Sequence, residues 1–456
     1  MRTTIRGPRQ RAVALLAAAA LGAALLGGCA QDSDRPGGTA GSSGAGAGAA
    51  AGTAGGAGAG KTTLTVGVFG VFGYKQAGLY DAYTKLHPDI TIKETSIERN
   101  ENYYPQLLTH LGTGSGLADI QAVEVNNIAE ITATQAGRLL DLSKAPGVRK
   151  ADFIPWKWAQ ATDRSGRTVG LGTDIGPMAV CYRKDLFAKA GLPTDRNAVA
   201  ALWAGDWGKY LDVGERYMAK APAGTAFVDS AAGVYNAVIS SSAERYYDRG
   251  GKLVYKDSPS VRQAWDAAMR AATGKLTARL QQFQKSWDQA YANGRFATVS
   301  CPPWMLGYIK EKAGDKGRGV WDVAAAPKPG NWGGSFLAVP EAGRHKSEAV
   351  ELAAWLTAPE QQAKLFTQQG SFPSARAAYG LPAVAGAKHP YFGDAPIGKI
   401  FAAAAEGIPH QVLGPKDLTV SQNITDVGVL QVEQQGRTPE QGWRAAVESI
   451  DNALDR

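Results

Sequence analysis

Between Thr62 and Val123 two kinds of patterning alternate, and that alternation limits the possible folds more than any other feature of the chain. Thr63–Val68 reads as a strand, Lys75–Leu86 as an amphipathic helix stopped before Pro88, and Ile90–Glu94 as a second strand. Tyr103–Leu111 reads as a helix with a Gly-rich stop, and Leu117–Val123 as a third strand. Strand–helix–strand repetition places consecutive strands parallel with right-handed crossovers, which is an α/β architecture. Residues 195–292 are mainly helical in pattern, with Trp203, Trp207 and Trp265 at core positions. Strands follow at Phe296–Cys301, Asp322–Pro327 and Gly334–Val339. Helices are expected at Ser347–Leu356, Pro359–Gln369 and Pro439–Leu454. Trp156 and Trp158 alternate on what reads as an extended segment. With 456 residues the chain is long enough for two lobes.

The N-terminus is built differently. A basic start, MRTTIRGPRQR, precedes the uncharged run Ala12–Leu26, and Gly27 and Gly28 lead to Cys29. That is the order of an export signal, and its apolar run is short for a membrane span, which needs about 20 residues. Leu26-Gly27-Gly28-Cys29 resembles the lipobox of bacterial lipoproteins. The resemblance implies removal of residues 1–28, a diacylglyceryl group on Cys29 and acylation of its new amine, the alternative being an ordinary cleaved signal. Two or more buried chains give stable attachment where one is marginal. Residues 29–60 are rich in Gly, Ala and Ser, a composition with little to bury, so a tether is expected, with a reach of roughly 30 Å. Within it Gly55-x-x-x-x-Gly60-Lys61-Thr62 matches the P-loop letters, but a low-complexity tract precedes it and a strand follows, so nucleotide binding is not inferred.

Charge narrows the partners. The formal net charge is +8, and loss of Arg2, Arg6, Arg9 and Arg11 with the signal leaves +4, scattered over both halves. This is an ordinary solvated surface, and nucleic acid is not expected as a partner. The five histidines are dispersed without metal-ligand spacing, no nucleophile elbow is present in the folded region, and neither metal, cofactor nor catalytic residue is signalled. Acid pairs that meet only in the fold leave a carbohydrate-active hydrolase open as an alternative. Cys181 and Cys301 form an even pair in an exported chain, in strand-like runs suited to neighbouring positions in one sheet. A disulfide is expected, with two buried thiols as the other outcome.

The order of segments also carries a resemblance. "YTKLHPDITIKE", "GLADIQAVE", "DIGPMAVCYRKDLFAKAGLPTD", "VSCPPWMLGYIK", "NWGGSFLAVP" and "ELAAWLTAPEQQAKLFTQQGSFPS" follow a lipobox and a tether. Together they resemble the extracellular solute-binding proteins of family 1, sugar-binding lipoproteins of bacterial ABC importers, over nearly the whole chain after Lys61. The resemblance implies a two-lobe fold of the maltose-binding type with ligand in the cleft. The expected lobes are 61–172 with 338–372 and 173–337 with 373–456, and the chain is expected to cross between them near Gly172–Pro177, Trp332–Leu337 and Ser371–Ser374. It further implies a monomeric receptor, not an enzyme, that is anchored outside the cell membrane and hands a sugar or oligosaccharide to permease subunits. A receptor of the same fold for a non-sugar solute is the alternative, although no basic cluster marks the loops for a phosphate.

The chemistry of a sugar cleft selects residues. Pyranose faces are apolar and edged by hydroxyls, so they call for aromatic platforms beside amides and carboxylates. Phe69, Phe72 and Tyr74 follow the first strand, where open parallel sheets bind ligands, and Glu124, Asn126 and Asn127 follow the third. The resemblance puts Asp174 in the first crossing as an acceptor of sugar hydroxyls and Trp304 against a sugar ring. Trp332, Gly333 and Gly334 occupy the second crossing, where glycines allow close backbone approach. Each has a plainer alternative: Trp304, Phe69 and Phe72 as packing residues, Asp174 as a turn cap or ion-pair partner, Asn126 and Asn127 as helix caps.

Overall fold

The computed structural model describes residues 61–455. The expected export signal, Cys29 and the expected tether to Gly60 lie outside the described residues. The first sheet contains β1 (Thr62–Phe69), β2 (Ile90–Ile97), β3 (Ile120–Glu124), β4 (Leu171–Gly172) and, arriving from far along the chain, Ser335–Ala338. β1 runs parallel to β2 in register from Thr62–Ile90 to Phe69–Ile97, and parallel to β3 on its other side. Alternation explains the inner face of β1, since Leu64, Val66 and Val68 are fully buried while Thr63 and Thr65 are not. Ser335–Ala338 enters antiparallel between β3 and β4.

A short ribbon leads out of this sheet. In it β5 (Asp174–Ile175) pairs antiparallel with Phe372–Pro373. Beyond it the second sheet contains β6 (Ala179–Arg183), β7 (Ala226–Val228), β8 (Phe296–Cys301) and β9 (Trp321–Ala325), in the order β7-β8-β6-β9. β8 is buried along its whole length because it has a strand on each side and helices over it. Ser335–Ala338 is β10 and Phe372–Pro373 is β11 in chain order. The structure is thus two-lobed, each lobe built on its own sheet, with crossings at 172–179, 331–335 and 372–373.

Several elements match the sequence reading residue for residue, including β8 and the helices Pro359–Gln369 and Pro439–Leu454. The last begins with a capping box in which Thr438 and Gln441 satisfy each other's backbone amides. Trp203, Trp207 and Trp265 are core residues. Two expectations change. Trp156 and Trp158 stand on a helix, Pro155–Gln160, not on an extended segment, because Pro155 supplies the fixed first residue of a helical turn. Both rings are buried, in different clusters. The helix expected from Lys75 begins only at Leu79, because Gly78 at φ +64° breaks the preceding turn.

Cys181 and Cys301 are joined by a disulfide with Cα atoms 5.4 Å apart. β6 and β8 pair antiparallel with Cys181 opposite Val299 and Ala179 opposite Cys301. The two sulfurs therefore bridge diagonal positions on one face of the sheet. Among the described residues no helix is long and apolar enough to cross a membrane.

Candidate ligand cleft

The crossings make the floor of the site. Asn331 accepts from the Gly176 amide through Oδ1 (2.9 Å) and donates from Nδ2 to the Gly333 carbonyl (3.0 Å), tying the first crossing to the second. Trp332 N donates to Gly176 O at 2.8 Å. Gly333 and Gly334 have φ of +107° and +103°, outside the range of ordinary side chains. A Cβ on Gly334 would stand 2.5 Å from the Asp174 carbonyl, and one on Gly333 would stand 3.0 Å from Nε1 of Trp304. The close approach that these glycines permit is therefore to the neighbouring crossing and to Trp304.

Asp174 is half-buried on this floor. Its Oδ1 accepts from the Ser335 amide (2.9 Å) and from Thr173 Oγ1 (2.7 Å). Burial pushes its carboxyl above the ordinary range, opposed by the charge of Lys157. Glu124, at the end of β3, caps the helix Val125–Thr134 by accepting from the backbone and side-chain amides of Asn126, both at 3.1 Å. Burial lifts the Glu124 carboxyl to about 7, against the pull of the Asn126 bonds and Lys157. The capping group is thus Glu124, while Asn126 is exposed and Asn127 is buried, accepting from Asn100 Nδ2 at 2.8 Å.

Aromatic rings stand on both sides. Phe69 and Phe72 are half-buried and meet edge to face at 5.3 Å between centroids. Tyr74 lies beneath Phe72, fully enclosed, and its hydroxyl has no partner. Trp304 stands in the first turn of the helix Pro303–Ala313, not in an irregular turn, since Pro303 is well placed at a first helical position. Its Nε1 donates to the Trp332 carbonyl at 3.1 Å, and the two rings are 5.3 Å apart, edge to face. The structure brings Asp174, Trp304, Trp332, Gly333 and Gly334 together, with Glu124 beside them on β3 opposite Ser335, Asn126 two residues further along the chain, and Phe69 and Phe72 on the first lobe.

Three participants escaped the sequence reading. Phe283 is 45% exposed, stacks on Trp304 with centroids 6.3 Å apart, and meets Trp332 edge to face. Its φ is +63°, a strained value for a bulky residue. The strain is held by Asp229, which accepts from Gln282 Nε2 (2.7 Å) and Trp287 Nε1 (2.8 Å) on either side of Phe283. A lone Phe within the polar run Gln281–Lys285 was the available signal. Arg245 reaches the cleft while paired with buried Asp417 at 2.8 Å, which cancels its charge. Lys157, wholly buried between two tryptophans in sequence, gave no sign of its position under the cleft. Between Val125 and Asn126 of the first lobe and Asn236, Tyr246 and Gln422 of the second, with Trp332 at the crossing, lies a cavity of about 180 Å³. A seven-residue π-helical stretch, Asn423–Val429, contributes Thr425 to its wall. Among the described residues no group of three His, Cys, Asp or Glu is placed to hold a metal.

Two α/β lobes joined by three crossings, with aromatic rings and carboxylates at the joint, are the architecture of a solute-binding protein. The chain matches the bacterial extracellular solute-binding protein family over residues 78–390, and it belongs to that family. A crystal structure of an extracellular solute-binding protein of family 1 is 40% identical, with a TM-score of 0.79 over 86% of this chain and 99% of that one. The ABC transporter associated binding protein from B. animalis subsp. lactis, solved with beta-1,6-galactobiose, shares the fold at 18% identity and a TM-score of 0.70, over 86% of this chain and 97% of that one. The arabinooligosaccharide-binding protein of Bacillus subtilis (strain 168) is 25% identical over 336 residues, 69% of this chain and 73% of that protein.

Proposed function

We propose that this protein is a lipid-anchored extracytoplasmic receptor that captures a sugar or oligosaccharide and delivers it to an ABC transporter permease. The observation that carries the reading is the grouping of Phe283, Trp304 and Trp332 beside Asp174 at the crossings. Rings at differing tilts suit the apolar faces of successive sugars, and a carboxylate oxygen left free by the Ser335 and Thr173 bonds suits a hydroxyl. Relatives whose names specify oligosaccharides support the same class. In this reading the ligand is taken by Asp174, Trp304, Trp332, Glu124, Asn126, Phe69 and Phe72, with Tyr74, Gly333 and Gly334 shaping the floor. The lobes proposed are 61–172 with 335–372 and 173–334 with 373–456, residues 335–337 being assigned to the first because β10 pairs with β3. Contacts made to both lobes at once favour closure, and the closed outer surface is what a permease would recognise.

A thermal-shift panel of mono- and oligosaccharides tests the reading, because a ligand at 100 times its dissociation constant stabilises by about 2.7 kcal/mol. No stabilisation by any sugar refutes it, and product formation from an oligosaccharide would make the protein a hydrolase. Anchoring is tested separately. Cys29→Ser should abolish the lipidated form, and detergent partitioning of a mature lipidated Cys29→Ser protein would refute the anchor.

A further inference from the structure

The helix Val125–Thr134 presents one face to two cavities in succession. Val125 and Asn126, in its first turn, border the cavity of about 180 Å³ beside Trp332. Ala129 and Ala133, one and two turns further along the same face, border a second cavity of about 830 Å³. Gln411 and Leu413 of the second lobe line both, so the two cavities adjoin. Leu413 packs against the first-lobe cluster that contains Val125 and Ile128, and Gln411 is pinned by donating from Nε2 to the Ser240 carbonyl at 2.6 Å. Ligand pockets occupy roughly 300–1,000 Å³. The first cavity is below that range and the second within it. The second also has polar walls. Gln160, at the end of the helix Pro155–Gln160, is 8% exposed, and neither its Nε2 nor its Oε1 has a hydrogen-bond partner. An amide buried in that state costs stability, and the fold itself does not offset the cost. Asp163 stands in a turn fixed by bonds to its Oδ1 from the Ser165 amide (2.8 Å), Ser165 Oγ (2.7 Å) and the Arg167 amide (3.0 Å). Two amides and a carboxylate thus surround one cavity, and these are groups that pair with sugar hydroxyls. Arg249 is paired with Glu244 at 3.0 Å and Asp163 offsets Arg164, so the lining has no excess of either charge.

We propose that the second cavity extends the ligand site, as a subsite for the further units of an uncharged oligosaccharide whose first unit lies against Trp332. The inference rests on the proposed sugar-binding role and narrows it to chains of more than one unit. Hydroxyls in the second cavity give Gln160 the partners that the fold withholds, accepting from its Nε2 and donating to its Oε1. No Trp, Tyr or Phe lines this cavity, so hydrogen bonds rather than ring stacking hold the further units, and recognition there follows the pattern of hydroxyls. Both lobes supply its walls, so a longer chain favours the closed form more than a single unit does.

The test uses the full-length protein and three series of neutral sugars, built of glucose, galactose or arabinose units and running from the monosaccharide to the tetrasaccharide. In the series that gives the largest thermal shift, calorimetry should find the trisaccharide bound about tenfold more tightly than the monosaccharide, or more. Ala133 is exposed on its helix, and Ala133→Trp places an indole in the second cavity. The ratio of trisaccharide to monosaccharide affinity should then fall to about one. Gln160→Leu removes the amide and keeps the bulk. The empty variant should melt at the wild-type temperature or above it, while trisaccharide binding weakens about tenfold. Equal affinity for the two sugars in the wild type, or an undiminished ratio in either folded variant, overturns the inference and leaves the sugar reading standing. A wild type that binds no member of any series refutes the sugar reading and the subsite with it. Should Ala133→Trp fail to fold, Gln160→Leu decides alone. A lower melting temperature with unchanged trisaccharide affinity would mean that the amide is satisfied within the fold, and would overturn the subsite.

Discussion

Gly176→Ala probes how the crossings hold the cleft. A Cβ built on Gly176 stands 1.9 Å from the carbonyl oxygen of Trp332 and 2.5 Å from its carbonyl carbon, both rigid backbone atoms. The two crossings must separate by about 1 Å to restore contact. That movement strains the hydrogen bond from Trp332 N to Gly176 O (2.8 Å) and the one from Gly176 N to Asn331 (2.9 Å). Overpacking of this kind costs about 1–3 kcal/mol, and a lost hydrogen bond adds about 0.5–1.5 kcal/mol. A loss of about 2–4 kcal/mol is expected in urea unfolding. Trp332 shifts with its carbonyl, so sugar affinity should fall at least fivefold, about 1 kcal/mol by calorimetry. Gly307→Ala is the control, since nothing lies within 4 Å of its Cβ, and a helix-interior glycine replaced by alanine gains about 0.5–1 kcal/mol. Equal stability and affinity in Gly176→Ala and wild type would refute the claim that backbone contact between the crossings positions Trp332.

Removing the disulfide with Cys181→Ala and Cys301→Ala opens a loop of 120 residues and should cost roughly 4–5 kcal/mol in chain-entropy terms, measured by unfolding with and without reductant. Trp304→Ala and Phe283→Ala should each weaken sugar binding, the first at least tenfold. Phe283→Gly should keep the empty protein as stable as wild type or make it more stable, because the strained φ is relieved; calorimetry and melting curves read both. Lys157 is depressed from 10.5 to about 7 in the folded state, so the unfolded chain holds the extra proton between those values. Wild-type stability should therefore rise with pH across that window. Lys157→Met should be more stable than wild type below pH 7 and lose the advantage toward pH 10. Urea midpoints at pH 6.5 and 10 that differ equally between the two proteins would contradict this.

What the sequence made legible follows from local signals that tertiary structure did not override. Pro359 and Pro439 each sit at a first helical position, and Gly370 ends the first of those helices in a left-handed cap, so both helices were readable to the residue. The alternation of Leu64, Val66 and Val68 announced a strand with one buried face. Trp156 and Trp158 misled because spacing by two also occurs within a six-residue helix whose rings enter different clusters. Asp174, Trp304 and Trp332 were singled out through segment order and ring chemistry, and the crossings bring them close together. Their company was not readable. Phe283 depends on a strained φ held by a carboxylate 54 positions earlier, Asp229. Lys157 is buried where Phe336 and Gly172 come to it only in the fold.

The cleft is built where periodic patterning stops, and this has a physical cause. Strands and helices bury their polar backbone by repeating one geometry, which leaves little room to aim a single group. At the crossings the repeat breaks, and individual side chains take over the backbone bonds: Asn331 serves Gly176 and Gly333, and Asp174 serves Ser335. Those bonds hold both the crossing strands and the candidate floor, so a change in one is felt in the other. Motion between lobes needs few bonds at the joint, whereas selectivity needs fixed groups there. Placing Asn331 and Asp174 in backbone roles at the joint would meet both demands in the proposed receptor, because the atoms that fix the floor also hold the crossing strands.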